Sequence, residues 1–307
     1  MNTKLINWFI LILLALIWGS SFILMKRGME VFSSGQVAAL RIFIAFLFLS
    51  PLIFKHVKKE FLKHWKGFLG MGVIGNLIPA FLFTNAETGI SSSLTGALNS
   101  LTPLFTLLIG VLLFKAKTGW INALGIAIGF VGALGLLMVG KKEAVDSDLL
   151  FIFYVVLATI CYALSVNIIK KYLSEVNSTT ATVWAMMFIG PFAGAYLFTT
   201  DFTHRLVSNP IALQSLGFIS ILAIFGTAIS VIIFNVLIKN TSPIFASSVT
   251  YLIPIVAMGW GLFDDESVLP VHFAWIGLIL AGVYLVNKKG KSKENKVKSQ
   301  KADTFEF

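Results

Sequence analysis

The chain has 307 residues, 57% of them hydrophobic and only 12% charged, with a mean hydropathy of +0.88. A soluble domain carries roughly 25% charged residues, so a soluble globule is excluded and an integral membrane protein is expected. The net charge of +10 does not imply nucleic acid, because the basic residues fall between apolar blocks and in one tail. A lone cysteine, Cys161, excludes a disulfide framework and a cysteine-rich metal site.

A bilayer core requires about 20 apolar residues per helix. Ten blocks meet that length: 7–25, 34–54, 67–86, 92–114, 120–140, 149–169, 179–199, 213–237, 243–263 and 271–287. The first has a basic start and small residues at Gly19-Ser20-Ser21, as a signal peptide would. Its length and Trp18 near any cleavage point favour a retained helix. The blocks are too long and too uniformly apolar for barrel strands. Connections are short and leave no room for a soluble domain. Residues 288–307 are polar and lysine-rich, which predicts a disordered tail.

Alternating sides along these blocks sort the basic residues unequally. Eighteen lysines fall on the side of the N-terminus and five basic residues on the other, with Arg41 inside a span. Both termini are therefore expected in the cytoplasm, with the chain in the plasma (inner) membrane.

The fourth and ninth blocks share a layout. Ser91–Gly110 pairs with Ser242–Gly261 at an offset of 151 residues. From Gly75 to Gly110 six pairs are identical: Gly75 with Gly226, Phe83 with Phe234, Ser91 with Ser242, Leu101 with Leu252, Pro103 with Pro254 and Gly110 with Gly261. A repeat of five helices is odd, so its second copy enters the membrane from the opposite face. The expected fold is all-α, with ten transmembrane helices in two inverted five-helix repeats, 1–142 and 143–287, followed by the 288–307 tail. Transporters built this way bind substrate near the midplane, between the repeats.

Polar side chains in hydrocarbon are expensive unless they pair or line a cavity. Here they concentrate in helices one to four and six to nine, leaving five and ten as outer supports. The candidate cavity set is Trp18, Ser20, Ser21, Asn76, Asn99, Tyr162, Asn167, Trp184, Asn235 and Tyr251. Taken singly, each Asn or Ser more often bonds across helices than touches substrate. The aromatic members combine flat apolar area with a polar handle, which suits an amphipathic solute. Arg41 is expected in a structural or gating role, the alternative being attraction of a carboxylate. Pro103 and Pro254 are expected to kink their helices and act as gates. Gly125-x-x-x-Gly129 and Gly190-x-x-x-Gly194 read as close-packing motifs.

Absences narrow the class further. No Asp, Glu or His lies deep in a span; Glu87 sits at an outer end. There is no Walker loop and no metal-ligand pair at helical spacing, so no metal or other cofactor is expected. No histidine stands within reach of an intramembrane serine, which argues against an enzyme.

The series Ala15–Gly28, ALIWGSSFILMKRG, then Ala39–Leu52, then the LTP and LIP of the fourth and ninth helices resembles EamA-type members of the drug/metabolite transporter superfamily. The resemblance covers residues 7–287. It implies a central cavity working by alternating access, commonly in export of amino acids and other small metabolites. It also implies that Trp18, Gly19 and Ser20 line the cavity, and that Arg41, Pro103 and Pro254 match motif positions. The sequence departs from the pattern at Lys115, where an acidic residue is usual, and at Cys161-Tyr162, which replaces the Trp18-Gly19 of the first repeat. The expected partners are a small-molecule substrate and the lipid bilayer, with no nucleic acid, in a monomer or weak homodimer. A channel or scaffold without saturable transport is the alternative.

Overall fold

A computed structural model describes residues 3–55, 59–90, 92–138, 149–261 and 270–287. The 288–307 tail, the boundary at 142/143 and the loop holding Glu266 lie outside the described residues. Every regular element among those described is helical. The first helix is in two pieces, α1 (Thr3–Gly19) and α2 (Ser21–Met29), followed by α3 (Ser34–Leu49) and a 3₁₀ turn at Ser50–Lys55. Next come α4 (Lys59–Gly72), a π-helical turn at Val73–Leu77 and α5 (Ile78–Ala86), then α6 (Ser92–Asn99), α7 (Thr102–Leu112) and α8 (Trp120–Met138). The second half runs α9 (Leu149–Tyr172), α10 (Ser178–Phe198), the short α11 (Phe202–Ser208), α12 (Ala212–Ala223), a π turn at Ile224–Ile229 and α13 (Ser230–Asn240). It closes with α14 (Pro243–Ser247), α15 (Val249–Gly261) and α16 (Pro270–Asn287). Among the described residues six stretches are long and apolar enough to cross a membrane: Thr3–Met29, Ser34–Phe54, Phe61–Ala86, Leu149–Tyr172, Ser178–Phe198 and Ala212–Asn240. Shorter apolar helices accompany them.

Local sequence explains where the helices begin. Ser33 and Gln36 form a reciprocal capping box on α3: the Gln36 N–H donates to Ser33 Oγ at 3.3 Å, and the Ser33 N–H to Gln36 Oε1 at 2.9 Å. Asn177 caps α10, and Ser242 caps α14 ahead of Pro243. Pro103 also sits in a first turn. The chain breaks at Ser100-Leu101, so Pro103 opens α7 where its missing N–H has no partner to lose. Pro254 differs, lying inside α15.

Apolar burial does not drive helices together in lipid; close van der Waals contact and interhelical hydrogen bonds do. The α8–α16 pair shows the first. A Cβ on Gly282 would stand 2.4 Å from the Gly129 nitrogen and 2.7 Å from the Gly125 carbonyl, so backbone touches backbone. Gly190 and Gly194 likewise admit the rings of Phe46 and Phe43 from α3 against α10.

Hydrogen bonds tie the two ends of the bundle. At one end Lys170 Nζ donates to the carbonyls of Ile238, Lys239 and Thr241 at 2.9–3.0 Å, a cation on the last carbonyls of α13. Lys239 Nζ donates in turn to the Val176 carbonyl. At the other end Gln36 Nε2 donates to Asp201 at 2.7 Å, and Arg205 bonds both Asp201 and the Val31 carbonyl.

Candidate functional site

The breaks and wide turns in these helices converge on one cavity of about 1020 Å³, counting space open to solvent. Among the described residues its lining comes from α1 to α7, α9, the second π turn and α13 to α15, with nothing from α8, α10 or α16. Helices five and ten thus stand outside, as expected, and helix seven joins them.

The two π turns build the centre. A π turn opens the i→i−4 ladder and leaves a carbonyl short of its partner. In the first, Asn76 Nδ2 donates to the Met71 carbonyl, five residues back, at 2.9 Å. In the second, Thr227 Oγ1 reaches the Leu222 carbonyl, also five back, at 3.5 Å. Asn76 and Thr227 are 151 residues apart, the offset seen in the sequence, and do the same local work. Thr227 Oγ1 also accepts from Arg41 Nε at 2.6 Å, which brings the guanidinium of α3 to the cavity.

Trp18 ends α1 beside the second π turn. Its indole N–H donates to the Gly226 carbonyl and to Ser230 Oγ, both at 3.1 Å, and its ring meets Phe234 edge-on with centroids 5.0 Å apart. Gly19 lets α1 pass close to α15, since a Cβ there would sit 2.6 Å from Val256. Opposite, Tyr162 stacks on Phe83 at 5.6 Å. The broken fourth and ninth helices touch directly: Ser100 Oγ donates to the Thr250 carbonyl at 3.3 Å. Asn99 Oδ1 accepts from Thr102 at 3.1 Å.

Of the ten residues expected around a cavity, Trp18, Ser21, Asn76, Asn99, Tyr162 and Asn235 line it. Four others are engaged elsewhere. Ser20 Oγ bonds the Leu16 carbonyl and accepts from Trp260 Nε1. Asn167 Nδ2 donates to the Thr106 and Ala163 carbonyls, tying α9 to α7. Trp184 packs on Phe61, 4.4 Å between centroids. Tyr251 is fully buried, with its hydroxyl on the Ile126 carbonyl at 2.8 Å and its ring against Gly129. In each case composition named a polar group in a span, and a carbonyl, hydroxyl or ring of another turn or helix claimed it. Sequence reasoning left Ser165 and Thr227 outside the final set, although Thr227 is the repeat partner of Asn76.

The unclaimed groups define the chemistry. Among the described residues, the Arg41 Nη atoms, the Tyr162 hydroxyl, Ser165 Oγ and Asn99 Nδ2 make no hydrogen bond, and none is sealed from the cavity. All can donate. Asn76 Oδ1 is the corresponding free acceptor. A donor-rich patch around a guanidinium, within walls of Trp18, Phe22, Phe83 and Phe234, fits a small amphipathic solute bearing a carboxylate.

Apolar spanning helices around such a cavity fit the architecture of a multi-pass membrane transporter. The chain belongs to the EamA-like transporter family, whose model matches residues 6–138 and 149–288. It is similar to an uncharacterized transporter of Archaeoglobus fulgidus, 26% identical over 289 residues, covering 92% of this chain and 99% of that one. The uncharacterized inner membrane transporter YedA of Escherichia coli K12 is 27% identical, covering 89% of this chain and 88% of the relative. An S-adenosylmethionine/S-adenosylhomocysteine transporter of Chlamydia muridarum is 26% identical, covering 91% and 90%. A crystal structure that is 12% identical superposes with a TM-score of 0.70 over 91% of this chain and 95% of that one, a likeness of fold alone.

Proposed function

We propose that the protein is a secondary transporter that exports small organic metabolites bearing a carboxylate, amino acids among them, by alternating access through this cavity. The observation that carries the reading is the donor-rich patch around Arg41 inside aromatic walls, at the meeting of the two π turns and the two broken helices. The same parts support ten transmembrane helices in two inverted repeats. The π turns begin 151 residues apart, at Val73 and Ile224, and the breaks after Asn99 and Ser247 fall in the paired fourth and ninth helices. The two prolines near those breaks remain candidate hinges. The lysine bias supports cytoplasmic termini in an inner membrane. The Chlamydia relative widens the candidate substrates to S-adenosylmethionine, which also carries an α-carboxylate.

Proteoliposomes test this directly. Labelled amino acids and S-adenosylmethionine are offered to the full-length protein, with counterflow as readout. Saturable counterflow, reduced in Asn99→Ala, is expected. Ion conductance without saturable flux would instead favour the channel alternative. A full panel with no flux would remove this substrate class.

A further inference from the structure

Asn235 lies on α13, and a chain of hydrogen bonds holds its amide in one orientation. Thr182 Oγ1 on α10 gives its only proton to the Ser178 carbonyl at 2.9 Å, so it can meet Asn235 only as an acceptor. Asn235 therefore turns its nitrogen to Thr182, and Nδ2 donates there at 2.9 Å. Nδ2 also stands 3.8 Å from the Met71 sulfur, a second acceptor. The nitrogen is spent, whereas Oδ1 is buried and, among the described residues, accepts nothing. Asn235 lines the cavity and Thr182 does not, so the oxygen is the end of the amide left for the cavity. A buried acceptor without a donor is costly, and a solute that brings a donor recovers that cost.

Other polar groups of the lining are left as acceptors too. Asn76 spends Nδ2 on the Met71 carbonyl and keeps Oδ1 for the cavity. The hydroxyls of Ser247 and Thr250 donate to the Ile244 and Ser247 carbonyls and offer only lone pairs. These lone pairs complement the donors around Arg41. Arg41 is held by Thr227, eight residues before Asn235 along helix eight, which at 1.5 Å per residue sets the two poles about 12 Å apart. We propose that Asn235 Oδ1 is a second anchor for the solute, accepting a hydrogen bond from a hydroxyl or N–H at the far end of a molecule whose carboxylate lies on Arg41. The donor is uncharged: no carboxylate lines the cavity among the described residues, so a second cation would be buried without a counter-ion. The solute class is a carboxylic acid with a neutral donor several bonds from its carboxylate. This rests on the reading that the cavity takes a carboxylate.

Isothermal titration of the purified full-length protein with matched probes is the test. The ω-hydroxy and ω-methoxy derivatives of hexanoate share a carboxylate and a chain, and only the first can donate at its far end. Six bonds of about 1.5 Å in zigzag, with a hydrogen bond of about 2.8 Å at each end, let the hydroxy acid span about 12 Å. It should bind about fivefold tighter than its methyl ether, the worth of one hydrogen bond. Asn235→Leu, similar in size, should erase that preference. The preference is a ratio within one sample, and the wild-type comparison stands even where Asn235→Leu does not fold. The shorter ω-hydroxypropanoate falls short of the second pole and should show no preference over its methyl ether. Equal binding of the two hexanoates to the wild type, a preference that survives Asn235→Leu, or the same preference in the propanoates would each overturn the proposal. The two readings fail differently. Binding of neither hexanoate, or binding indifferent to Arg41→Gln, removes the carboxylate reading and this inference with it; equal binding of both hexanoates removes this inference alone.

Discussion

Replacing Gly282 by alanine tests whether α8 and α16 form a backbone-to-backbone strut outside the cavity. The new Cβ would lie 2.4 Å from the Gly129 nitrogen, 2.6 Å from its Cα and 2.7 Å from the Gly125 carbonyl. Ordinary contact begins near 3.4 Å. The obstacle is backbone, so no side-chain rotation relieves it, and the helices must part by about 1 Å. Overpacking of this kind costs about 1–3 kcal/mol. Separation also loosens the neighbouring contacts, since Gly125 and Gly132 pack on Val286 and Ile279 of the same helix. Gly277 supplies the control: it lies on α16 with nothing within 4 Å of its Cβ position, so Gly277→Ala should be neutral or slightly stabilising. Thermal unfolding of the two purified variants in one detergent is the assay. Gly282→Ala should melt clearly below wild type and Gly277→Ala at or above it. Because no described cavity residue comes from either helix, transport per folded molecule should survive in both. Equal melting of the two variants would refute the strut.

Other outcomes follow from single bonds. Trp18→Phe keeps a ring against Phe234 but leaves the Gly226 carbonyl and Ser230 without the indole donor; a loss of about 1–3 kcal/mol and slower flux are expected, by thermal melt and counterflow. Tyr251→Phe should cost about 1 kcal/mol with flux per folded molecule unchanged, whereas Tyr162→Phe should lower apparent affinity for a carboxylate solute with little loss of stability. Lys170→Met removes the cation from three carbonyls at the end of α13 and should destabilise by about 1–3 kcal/mol, visible as a lower melting temperature.

Long apolar runs announce spans because a bilayer demands them, and the 151-residue offset was readable because both copies keep Gly75/Gly226 and Pro103/Pro254. The support role of helices five and ten was readable too, since their spans carry almost no polar groups. The π turns were not readable. Nothing in VIGNL or IFGTAI separates a wide turn from an α-helical one, and the clue, a donor able to reach five residues back, is common to many helices. The cavity set was legible as chemistry but not as direction. Asn99 and Asn167 look alike in sequence, yet Asn99 keeps a free amide in the cavity while Asn167 spends its amide on two carbonyls. Tyr162 and Tyr251 divide the same way. Which side of a helix faces the cavity depends on crossing angles set by glycines such as Gly19 and Gly129, and these are fixed only when the helices meet.

Two-sided accessibility tests the central claim most directly. In a Cys161→Ser background, single cysteines replace Met25 and Ile169, cavity residues that lie toward opposite ends of the bundle. A membrane-impermeant thiol reagent is applied to vesicles of either orientation. The account predicts that each site labels from one side only, and that a saturating solute raises one rate while lowering the other. Labelling of both sites from both sides at once would contradict it, because a cavity open to both faces is a pore.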